Sequence, residues 1–404
     1  MLNSKSMKKN ILYVLLIFIF IACDLTKEDK KNTVRGDIVS IPITEMETDY
    51  GKLSDFAEDI KMIPLEFSGD CILDKVEKIV MSDSCIFIME RYNQKGIYVF
   101  DHSGKYLYRV GNCGQGPDEF VDLSDFSLNE EQQLIYLYDI MRKKVLIFSF
   151  EGDFIKDIQM NYYADKFEYQ DNLFYLYRES PVMGDPAYSL VIKDDKGKTI
   201  NKYYPLINKS PYIHDCIFRK LDNEILFAEY MRDSVFSVRS GELTPKYFID
   251  YKDKSMSKID RESILKGTRM ALTVLLECKK MAGIEDIFEI NDKVFINNTN
   301  VVVPKFTVYD KKTQEVKTFS YILNDFLFIG FDHPIGQYKD NLISIVGQED
   351  FQTAIDDGFK YWQKKGILTA ERAKELRAMI EERFPDRNNL GETNPVLFLM
   401  KVKK

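Results

Sequence analysis

Several features that would assign a protein to a class are scarce in this chain. Glycine and proline number 20 and 12 among 404 residues, which excludes collagen-like and proline-rich low-complexity material. Basic residues are fewer than acidic ones, 56 against 64, and the formal net charge is −8. Because phosphate binding needs clustered lysine and arginine, this balance argues against broad nucleic-acid affinity. The hydrophobic share of 45% is too high for a disordered chain and predicts a large folded core.

Local motifs of catalysis are also missing. The three histidines, His102, His214 and His333, lie far apart, and none has a second histidine or an acid at the spacing of metal ligands. No CxxC pair and no GxSxG elbow occurs. The sequence therefore nominates no catalytic, cofactor-binding or metal-binding residue, and no cofactor is expected. His102 is expected to be solvated in a turn, whereas His214 and His333 are candidates for a ligand-binding rim.

The N-terminus has the pattern of a targeting segment. A lysine pair precedes an apolar run at residues 11–21, which is too short to span a bilayer and is typical of a secretory signal. The segment FIAC at residues 20–23 resembles the lipobox of bacterial lipoproteins. This resemblance implies that residues 1–22 are a signal peptide and that Cys23 becomes the lipid-bearing N-terminus. An ordinary signal peptide and an uncleaved anchor are the alternatives.

The segment after Cys23 predicts how such an anchor would reach the fold. Residues 23–37 are rich in polar and charged side chains and are expected to form a flexible tether. Two or more acyl chains hold a protein on a membrane stably, whereas one chain binds only marginally. The predicted localisation is the cell envelope. The protein is expected to be lipid-anchored at the outer membrane, on its periplasmic or surface face, so that the membrane itself is one partner.

Five further cysteines remain, an odd number that cannot pair completely within the chain. Buried free thiols are expected. A bridge between Cys71 and Cys85 across neighbouring strands is the alternative in an oxidising compartment. The five are Cys71, Cys85, Cys113, Cys216 and Cys278.

A repeated unit dominates the rest of the chain: a strand of aromatic and β-branched residues, a turn with glycine, and a second strand. Four copies carry Gly104, Gly152, Gly197 and Gly241 in their turns, at spacings of 48, 45 and 44 residues. Each glycine is expected to take a positive φ in a short hairpin loop. In a fifth copy Thr313 replaces the glycine, after a gap of 72 residues. A strand repeat near 45 residues predicts propeller blades, each a four-stranded sheet.

The strands of these copies are continuous apolar runs, for example residues 97–100 and 134–138. Such runs indicate sheets that are covered on both faces, as stacked blades are. The predicted fold class is all-β: a six-bladed β-propeller over residues 38–404, closed by N- and C-terminal strands in one blade, which leaves no free edge. The strands expected in this closing blade are 326–331, 341–346 and 395–402, with either 38–43 or 60–67 from the N-terminus.

Two insertions into the ring are predicted to be helical. The first lies at about 255–283 and the second at about 351–385, where Gly366 separates two halves and Pro385 ends the second. Their apolar residues recur at helical spacing, so the helices are expected to cover a blade edge. These positions are Ile264, Leu272, Leu275 and Leu276 in the first insertion, and Ile355, Phe359, Trp362, Leu376, Met379, Ile380 and Phe384 in the second.

Three segments resemble a known family, the six-bladed β-propeller lipoproteins of Gram-negative bacteria, whose functions are largely unassigned. They are residues 60–66, the loop GNCGQGPDEF at 111–120, and residues 394–399. The loop is also similar to those of NHL-type propellers, a resemblance that implies partner binding rather than catalysis. The glycines of this loop lack the spacing and the following helix of a phosphate loop, so a connection between blades is expected.

The leading functional hypothesis is a non-enzymatic scaffold that binds a ligand or partner, such as a glycan or an envelope protein, at one rim. The alternative is a glycan-active or metal-dependent enzyme, a lyase, hydrolase or lactonase, whose residues converge from several blades in the central funnel. The third hypothesis is that the protein is a structural component of an envelope complex, and this hypothesis predicts a large exposed apolar patch. Carboxylates, asparagines or histidines around a metal would favour the enzyme. Tyrosines that are candidates for stacking on sugars are Tyr162, Tyr163, Tyr203, Tyr204 and Tyr212.

Overall fold

The computed structural model describes most of the chain after residue 37. The chain divides into two units, Met1–Ile38 and Val39–Lys404, and the elements given below belong to the second unit. The described residues are 38–43, 50–178 without 93, 188–205, 218–299 without 230–231, 266–272, 274–276 and 278–279, 305–330, 333–383, and 394–404.

The first half of the fold contains three complete sheets, preceded by strands that belong elsewhere. The leading elements are β1 (Val39–Pro42), β2 (Tyr50–Lys52), the short helix α1 (Leu53–Phe56) and β3 (Ala57–Pro64). Blade 1 consists of β4 (Val76–Met81), β5 (Ile86–Glu90), β6 (Gly96–Phe100) and β7 (Tyr106–Val110), and is followed by the two-residue strands β8 (Asn112–Cys113) and β9 (Glu119–Phe120). Blade 2 consists of β10 (Leu123–Asn129), β11 (Leu134–Asp139), β12 (Lys144–Ser149) and β13 (Phe154–Gln159). Blade 3 consists of β14 (Lys166–Gln170), β15 (Leu173–Tyr177), β16 (Tyr188–Asp194) and β17 (Thr199–Pro205).

The second half contains the other three sheets and the longer helices. Blade 4 consists of β18 (Phe218–Lys220), β19 (Ile225–Ala228), β20 (Ser234–Arg239) and β21 (Glu242–Asp250), followed by the 3₁₀ turn Lys252–Lys254 and α2 (Lys258–Leu265). Blade 5 consists of β22 (Gly283–Ile290), β23 (Lys293–Thr299), β24 (Lys305–Asp310) and β25 (Val316–Phe319), followed by β26 (Tyr321–Leu323). Blade 6 consists of β27 (Gly336–Tyr338), β28 (Asn341–Val346), β29 (Val396–Val402) and β3, with α3 (Gln348–Lys364) and α4 (Ala370–Arg383) inserted before β29.

The six-bladed propeller predicted from the repeat is confirmed, including its closure by both ends of the chain. β3 pairs antiparallel with β29 from Val396↔Pro64 to Val402↔Ala57, so the N-terminal segment supplies the outer strand of blade 6. The other N-terminal candidate, β1, pairs instead in parallel with β21 as a fifth strand of blade 4.

One predicted strand of blade 6 is wrong. Residues 326–330 are turn and irregular backbone, and the inner strand of blade 6 is β27. The apolar residues Leu327, Phe328 and Ile329 are buried under α3 and α4 rather than in a sheet. A short apolar run does not distinguish these two ways of being buried, which explains the error.

The turn glycines have the backbone that the repeat predicts, with φ of +91° at Gly104, +93° at Gly152, +75° at Gly197 and +85° at Gly241. In the fifth copy the positive φ of +61° falls on Gln314. Gly104 also lies against a neighbouring blade, because a Cβ there would stand 2.0 Å from the carbonyl oxygen of Pro64 in β3. Sheet twist turns the outer strands across each blade, which brings an outer turn of blade 1 to the outer strand of blade 6.

The second helical insertion covers blade 6, as predicted. Gly366 separates α3 from α4, and Trp362 and Leu376 are buried in one cluster with Met62 and Phe398 of blade 6. Met379 is an exception to the predicted apolar stripe, since it is exposed. The first insertion contains α2, where Ile264 is buried. The predicted positions outside the described residues are Leu272, Leu275, Leu276, Phe384 and Pro385.

Antiparallel pairing in each blade creates two rims of different character. The long-connection rim is the end where the inner strands begin and the second strands finish; residues 65–75, 111–122, 251–282, 320–335 and 347–395 depart from it. The short-turn rim is the opposite end, where tight turns such as 82–85 and 291–292 join the first two strands of each blade. Both helical insertions therefore belong to the long-connection rim.

Candidate functional site

The inner strands carry polar side chains that form ion pairs around the propeller axis. Lys78 Nζ lies 3.0 Å from Asp125 Oδ1 and 3.7 Å from Glu168 Oε2, which links blades 1, 2 and 3. Ser127 Oγ donates a hydrogen bond to Glu168 Oε1, and Asp125 Oδ2 accepts one of 2.9 Å from the Phe167 amide. Each of these carboxylates is thus bound to a cation or to hydrogen-bond donors.

Two cations of blade 4 complete this axial network. Lys220 Nζ donates to the carbonyl oxygens of Leu128 (2.6 Å) and Tyr169 (2.7 Å), and burial lowers the pKa of its ammonium despite the nearby Glu168 charge. Arg219 Nη2 lies 2.5 Å from Asp286 Oδ2 in blade 5. A buried charge needs such partners because removal from water costs several kcal/mol.

The carboxylates of the axial network are paired with cations of other blades. Within the described ranges, no group of three His, Cys, Asp or Glu side chains gathers closely enough to hold a metal ion. The pairs Lys78–Asp125, Lys78–Glu168 and Arg219–Asp286 each join the inner strands of two blades.

The structure places two of the histidines. His102 was expected to be solvated but is half-buried, with Nε2 3.0 Å from the carbonyl oxygen of Ser82 and its ring 5.9 Å from that of Tyr338. His333 is half-buried at the long-connection rim, with its ring 6.4 Å from that of Phe306. His214 lies outside the described residues.

Three cysteines are described, and all three are free thiols. Cys71 is buried in the cluster between blades 6 and 1, whereas Cys85 packs against the cluster between blades 1 and 2, so the alternative bridge between them is not formed. Burial raises the pKa of the Cys71 thiol to about 12. Cys113 is exposed, contrary to the expectation of burial, and Cys216 and Cys278 lie outside the described residues.

The glycine-rich loop at 111–120 is a connection between blades 1 and 2, as predicted. Arg142 of blade 2 fixes the loop, because its guanidinium donates hydrogen bonds to the carbonyl oxygens of Gly114 (3.1 Å), Gly116 (3.1 Å) and Glu119 (2.9 Å). Glu119 in turn accepts a 2.7 Å hydrogen bond from the Gly116 amide. Arg142 and the side chain of Glu119 therefore fix the backbone of the loop.

A buried carboxylate fixes the adjoining part of the same rim. Asp139, fully buried at the end of β11, accepts hydrogen bonds from the amides of Val121 (2.8 Å), Asp122 (3.4 Å), Met141 (3.1 Å) and Arg142 (3.2 Å). Four backbone amides on one carboxylate join the connection before β10 to the connection after β11. Two apolar side chains, Val121 and Met141, are thereby held exposed on a rigid support.

Val121 and Met141 belong to a larger exposed surface, which we name the rim patch and define as Ile72, Tyr92, Val121 and Met141. Tyr92 is 56% exposed and Met141 60%. Lys75 Nζ lies 4.9 Å from the Tyr92 ring, and Lys95 Nζ lies 3.5 Å from Asp122 Oδ1. These two contacts join three of the connections that carry the rim patch, and the hydrogen bonds to Asp139 join the third of them to the connection that carries Met141.

The tyrosines proposed from the sequence for sugar stacking are mostly parts of the core. Tyr162 is buried beside Arg178, and Tyr163 is half-buried with Lys143 Nζ 3.9 Å from its ring. Tyr203 and Tyr204 pack against the cluster between blades 3 and 4. Tyr212 lies outside the described residues.

Sequence reasoning missed both the axial network and the rim patch. A signal for the network exists, because Lys78, Asp125, Glu168 and Asp286 each stand at the third or fourth position of the first strand of a blade. The rim patch has no such signal, since an exposed Tyr or Met between strands looks like any loop residue.

Solved structures similar to this chain include two from Bacteroides species. A protein of Bacteroides fragilis NCTC 9343 described as exported has a similar crystal structure: 17% identity, TM-score 0.72, covering 91% of this chain and all of that one. A member of the DUF4221 family from Bacteroides vulgatus ATCC 8482 matches at 10% identity and TM-score 0.46, covering 86% of this chain and 98% of that one.

Sequence comparison gives the family. No curated protein matches this chain significantly. In the part of the chain that the structure describes, no helix has the length and apolar character needed to cross a membrane. The family model described as "Domain of unknown function (DUF4934)" matches residues 38–401, nearly the entire propeller. The chain therefore belongs to the DUF4934 family.

Proposed function

We propose that this protein is a lipid-anchored scaffold of the cell envelope that acts by binding, and that it binds a protein partner through the rim patch. The observation that carries the proposal is an asymmetry between the two rims. From Val39 onward, the large apolar side chains that are exposed among the described residues lie either on outer strands or on the long-connection rim. The described turns of the short-turn rim present none.

The composition of the rim patch fits a protein partner. Tyrosine and methionine are enriched at the centres of protein interfaces, and truncation of such residues often removes much of the binding energy. Charged side chains of Lys75, Lys95 and Asp122 surround the apolar centre, as at the polar rim of an interface. Because Asp139 and Arg142 fix the underlying backbone, little conformational entropy is lost when a partner binds.

The proposed address rests on the N-terminus and on the structural relative. The lipobox-like segment at 20–23 would place the acyl chains on Cys23, and the relative from Bacteroides fragilis is described as exported. The third hypothesis from the sequence, a component of an envelope complex, is consistent with the same exposed side chains. Tyr361, Ile367 and Met379 of the second insertion add to them on the same rim.

A crosslinking experiment tests the proposal in cells that make the full chain. A photoreactive phenylalanine analogue is placed at Tyr92 or Met141, with Asp195, exposed in an outer turn of blade 3, as the matched control position. We expect one discrete adduct from the two rim-patch positions and none from the control. The captured protein, purified separately, should then bind the wild type about tenfold more tightly than Met141→Asp.

The opposite results are equally clear. Adducts of equal yield from both rims, or no adduct from the rim patch, would refute a binding role for these residues. An adduct whose purified partner binds Met141→Asp as well as the wild type would show that the contact is incidental.

A further inference from the structure

A cluster of four aromatic rings from three separate segments lies on the long-connection rim, and two of the rings are exposed. We name it the aromatic ledge and define it as Tyr50 of β2, Tyr321 of β26, and Tyr361 and Trp362 of α3. The Tyr50 and Tyr321 rings are stacked, with centroids 5.6 Å apart and planes at 25°. Trp362 meets Tyr50 at 5.4 Å and Tyr361 at 4.8 Å, both edge-on. The four rings are therefore continuous.

The four rings differ in how much of each is exposed to solvent. Trp362 is buried in the cluster that seals α3 and α4 to blade 6. Tyr361 is 46% exposed and Tyr321 is 37% exposed, and neither belongs to that buried cluster. Pairing of β2 with β26 and the ring contacts fix these tyrosines in place. The ledge thus presents pre-ordered aromatic surface to water.

The charge beside the ledge is positive in a chain whose net charge is −8. Lys360, Lys364 and Lys365 are exposed at the end of α3, and Lys365 Nζ lies 5.6 Å from the Tyr361 ring. Asp357 is the exposed acid on the preceding turn, whereas Asp356 is held by Arg377 Nη1 at 2.7 Å. Three exposed lysines and one exposed acid, Asp357, therefore lie near Tyr361 on the last two turns of α3.

We propose that the aromatic ledge binds an acidic oligosaccharide, that is, one that contains uronic-acid units. The C–H face of a sugar ring is apolar and packs on one face of a tyrosine, while carboxylates of the same chain reach the lysines. Tyrosine also has a hydroxyl group at its edge, which can donate to or accept from sugar hydroxyls. This ligand is distinct from the protein partner proposed for the rim patch, which lies on different blades.

Single-stranded nucleic acid is the other polyanion that stacks on aromatic rings, and the ledge suits it less well. Tyr50 and Tyr321 already use one face each on the other, so bases cannot be sandwiched between them. Arginine is the side chain that holds phosphate with two parallel hydrogen bonds. The guanidinium near the ledge, Arg377, is bonded to Asp356 and lies over Phe359.

Calorimetric titration of the chain lacking residues 1–23 tests the proposal. The probes are three tetrasaccharides, of galacturonate, guluronate and hyaluronan, with fully methyl-esterified tetragalacturonate as the neutral counterpart. We expect saturable binding of at least one acidic probe and about tenfold weaker binding of the ester. Tyr361→Ala and Lys365→Gln should each weaken binding about tenfold, which corresponds to about 1.4 kcal/mol.

Matched variants separate this site from the rim patch and from misfolding. Tyr361→Phe keeps the ring and should bind within about threefold of wild type, and Tyr92→Ala should bind the sugar normally. Each variant must unfold at the wild-type temperature. Octathymidylate is titrated as the single-stranded nucleic acid. The proposal would be overturned if no acidic probe bound saturably or if the ester bound equally well. It would also be overturned by unchanged affinity in Tyr361→Ala or Lys365→Gln, or by tighter binding of octathymidylate.

Discussion

At the scale of single residues, buried carboxylates decide how the rim is built. Asp139 is the acceptor for four backbone amides that belong to two connections, and its burial prevents water from replacing them. Hydrogen bonds to a charged group each contribute about 1.5–3 kcal/mol to stability. The Asp139 side chain should therefore stabilise the fold more than an exposed ion pair does.

We expect Asp139→Asn to lower the free energy of unfolding by about 2–3 kcal/mol, because the amide keeps one acceptor and loses the other together with the charge. Urea denaturation followed by circular dichroism measures the change. Asp118→Asn, an exposed position in the same glycine-rich loop, is the control and should shift stability by less than about 0.5 kcal/mol. Equal stabilities of the two variants would show that Asp139 does not organise the rim.

A second residue-scale prediction concerns pH. Glu289 accepts hydrogen bonds from Lys246 (2.6 Å), Lys311 (2.8 Å) and the Tyr247 hydroxyl (2.9 Å). Burial raises its pKa, but the two lysines outweigh burial and hold the net pKa below its ordinary value; Glu224 is shifted in the same direction. Both carboxylates therefore stabilise the fold above their unfolded pKa of about 4.3, and this contribution is lost as the pH falls through their folded pKa.

Unfolding in urea at pH 7, 5 and 3.5 checks this expectation. The contribution of these two groups to the free energy of unfolding should change little between pH 7 and pH 5. It should decrease once the pH is below about 4.3. Glu289→Gln should be less stable than the wild type at pH 7 and lose less on acidification. Glu315→Gln, at an exposed position, should follow the wild-type curve. A Glu289→Gln curve parallel to wild type at all three pH values would contradict the assignment.

At the scale of elements, the outer turns are where one blade meets the next. Gly104 combines a φ of +91° with a close approach to Pro64, while Gly366, between α3 and α4, has a φ of +71° and nothing within 4 Å of a built Cβ. The two glycines share the backbone requirement but differ in the space around them. This difference makes them a matched pair.

Gly366→Ala should lower the free energy of unfolding by about 1–2 kcal/mol, the cost of left-handed backbone in a residue with a side chain. Gly104→Ala should cost more, because β3 or the turn must also move to admit the methyl group. Parallel urea denaturation of both variants gives the comparison. An equal decrease in the free energy of unfolding for the two variants would mean that the contact between blades 1 and 6 adjusts to the methyl group without loss of stability.

The sequence predicts elements well where the repeat and turn chemistry agree. The glycine turns and the continuous apolar strands are local signals, and they lead to six blades and to the closing blade. Residues 326–331 were misassigned because an apolar run buried under helices resembles one buried in a sheet. The rim patch and the aromatic ledge lie beyond local signals altogether, since both join side chains from three or four segments that only the fold brings together.

At the scale of the whole molecule, the N-terminal chain combines a proposed lipid-attachment site with a strand that closes the ring. Upstream of the fold, Cys23 is the proposed lipid attachment site. We expect Cys23→Ala to move the protein from the membrane pellet to the soluble fraction, because each buried CH₂ of an acyl chain contributes about 0.8 kcal/mol. Cys113→Ala should stay in the pellet. Retention of Cys23→Ala in the membrane fraction would refute lipid anchoring at this residue.

Within the fold, the N-terminal chain closes the ring. β3 supplies the outer strand of blade 6, and two further contacts fasten the C-terminus to α1: the Lys403 amide donates to the Phe56 carbonyl (2.9 Å) and Lys403 Nζ to that of Ser54 (2.6 Å). β1, by contrast, adds a fifth strand to blade 4, whose other four strands are already paired. Loss of β3 should therefore be far more damaging than loss of β1.

A truncation series measured by differential scanning calorimetry makes this last prediction quantitative. Removal of residues 1–37 should leave the melting temperature unchanged, and removal of 1–49, which deletes β1, should lower it by a few degrees, as about 1 kcal/mol does in a fold of this size. Removal of 1–64 should abolish the cooperative transition, because blade 6 then exposes an unpaired β29 and the buried side chains beneath it. A synthetic peptide of residues 50–67 should restore the transition by pairing with β29. A cooperative melt without residues 1–64 would show that three strands suffice for blade 6 and that the ring does not depend on its N-terminal strand.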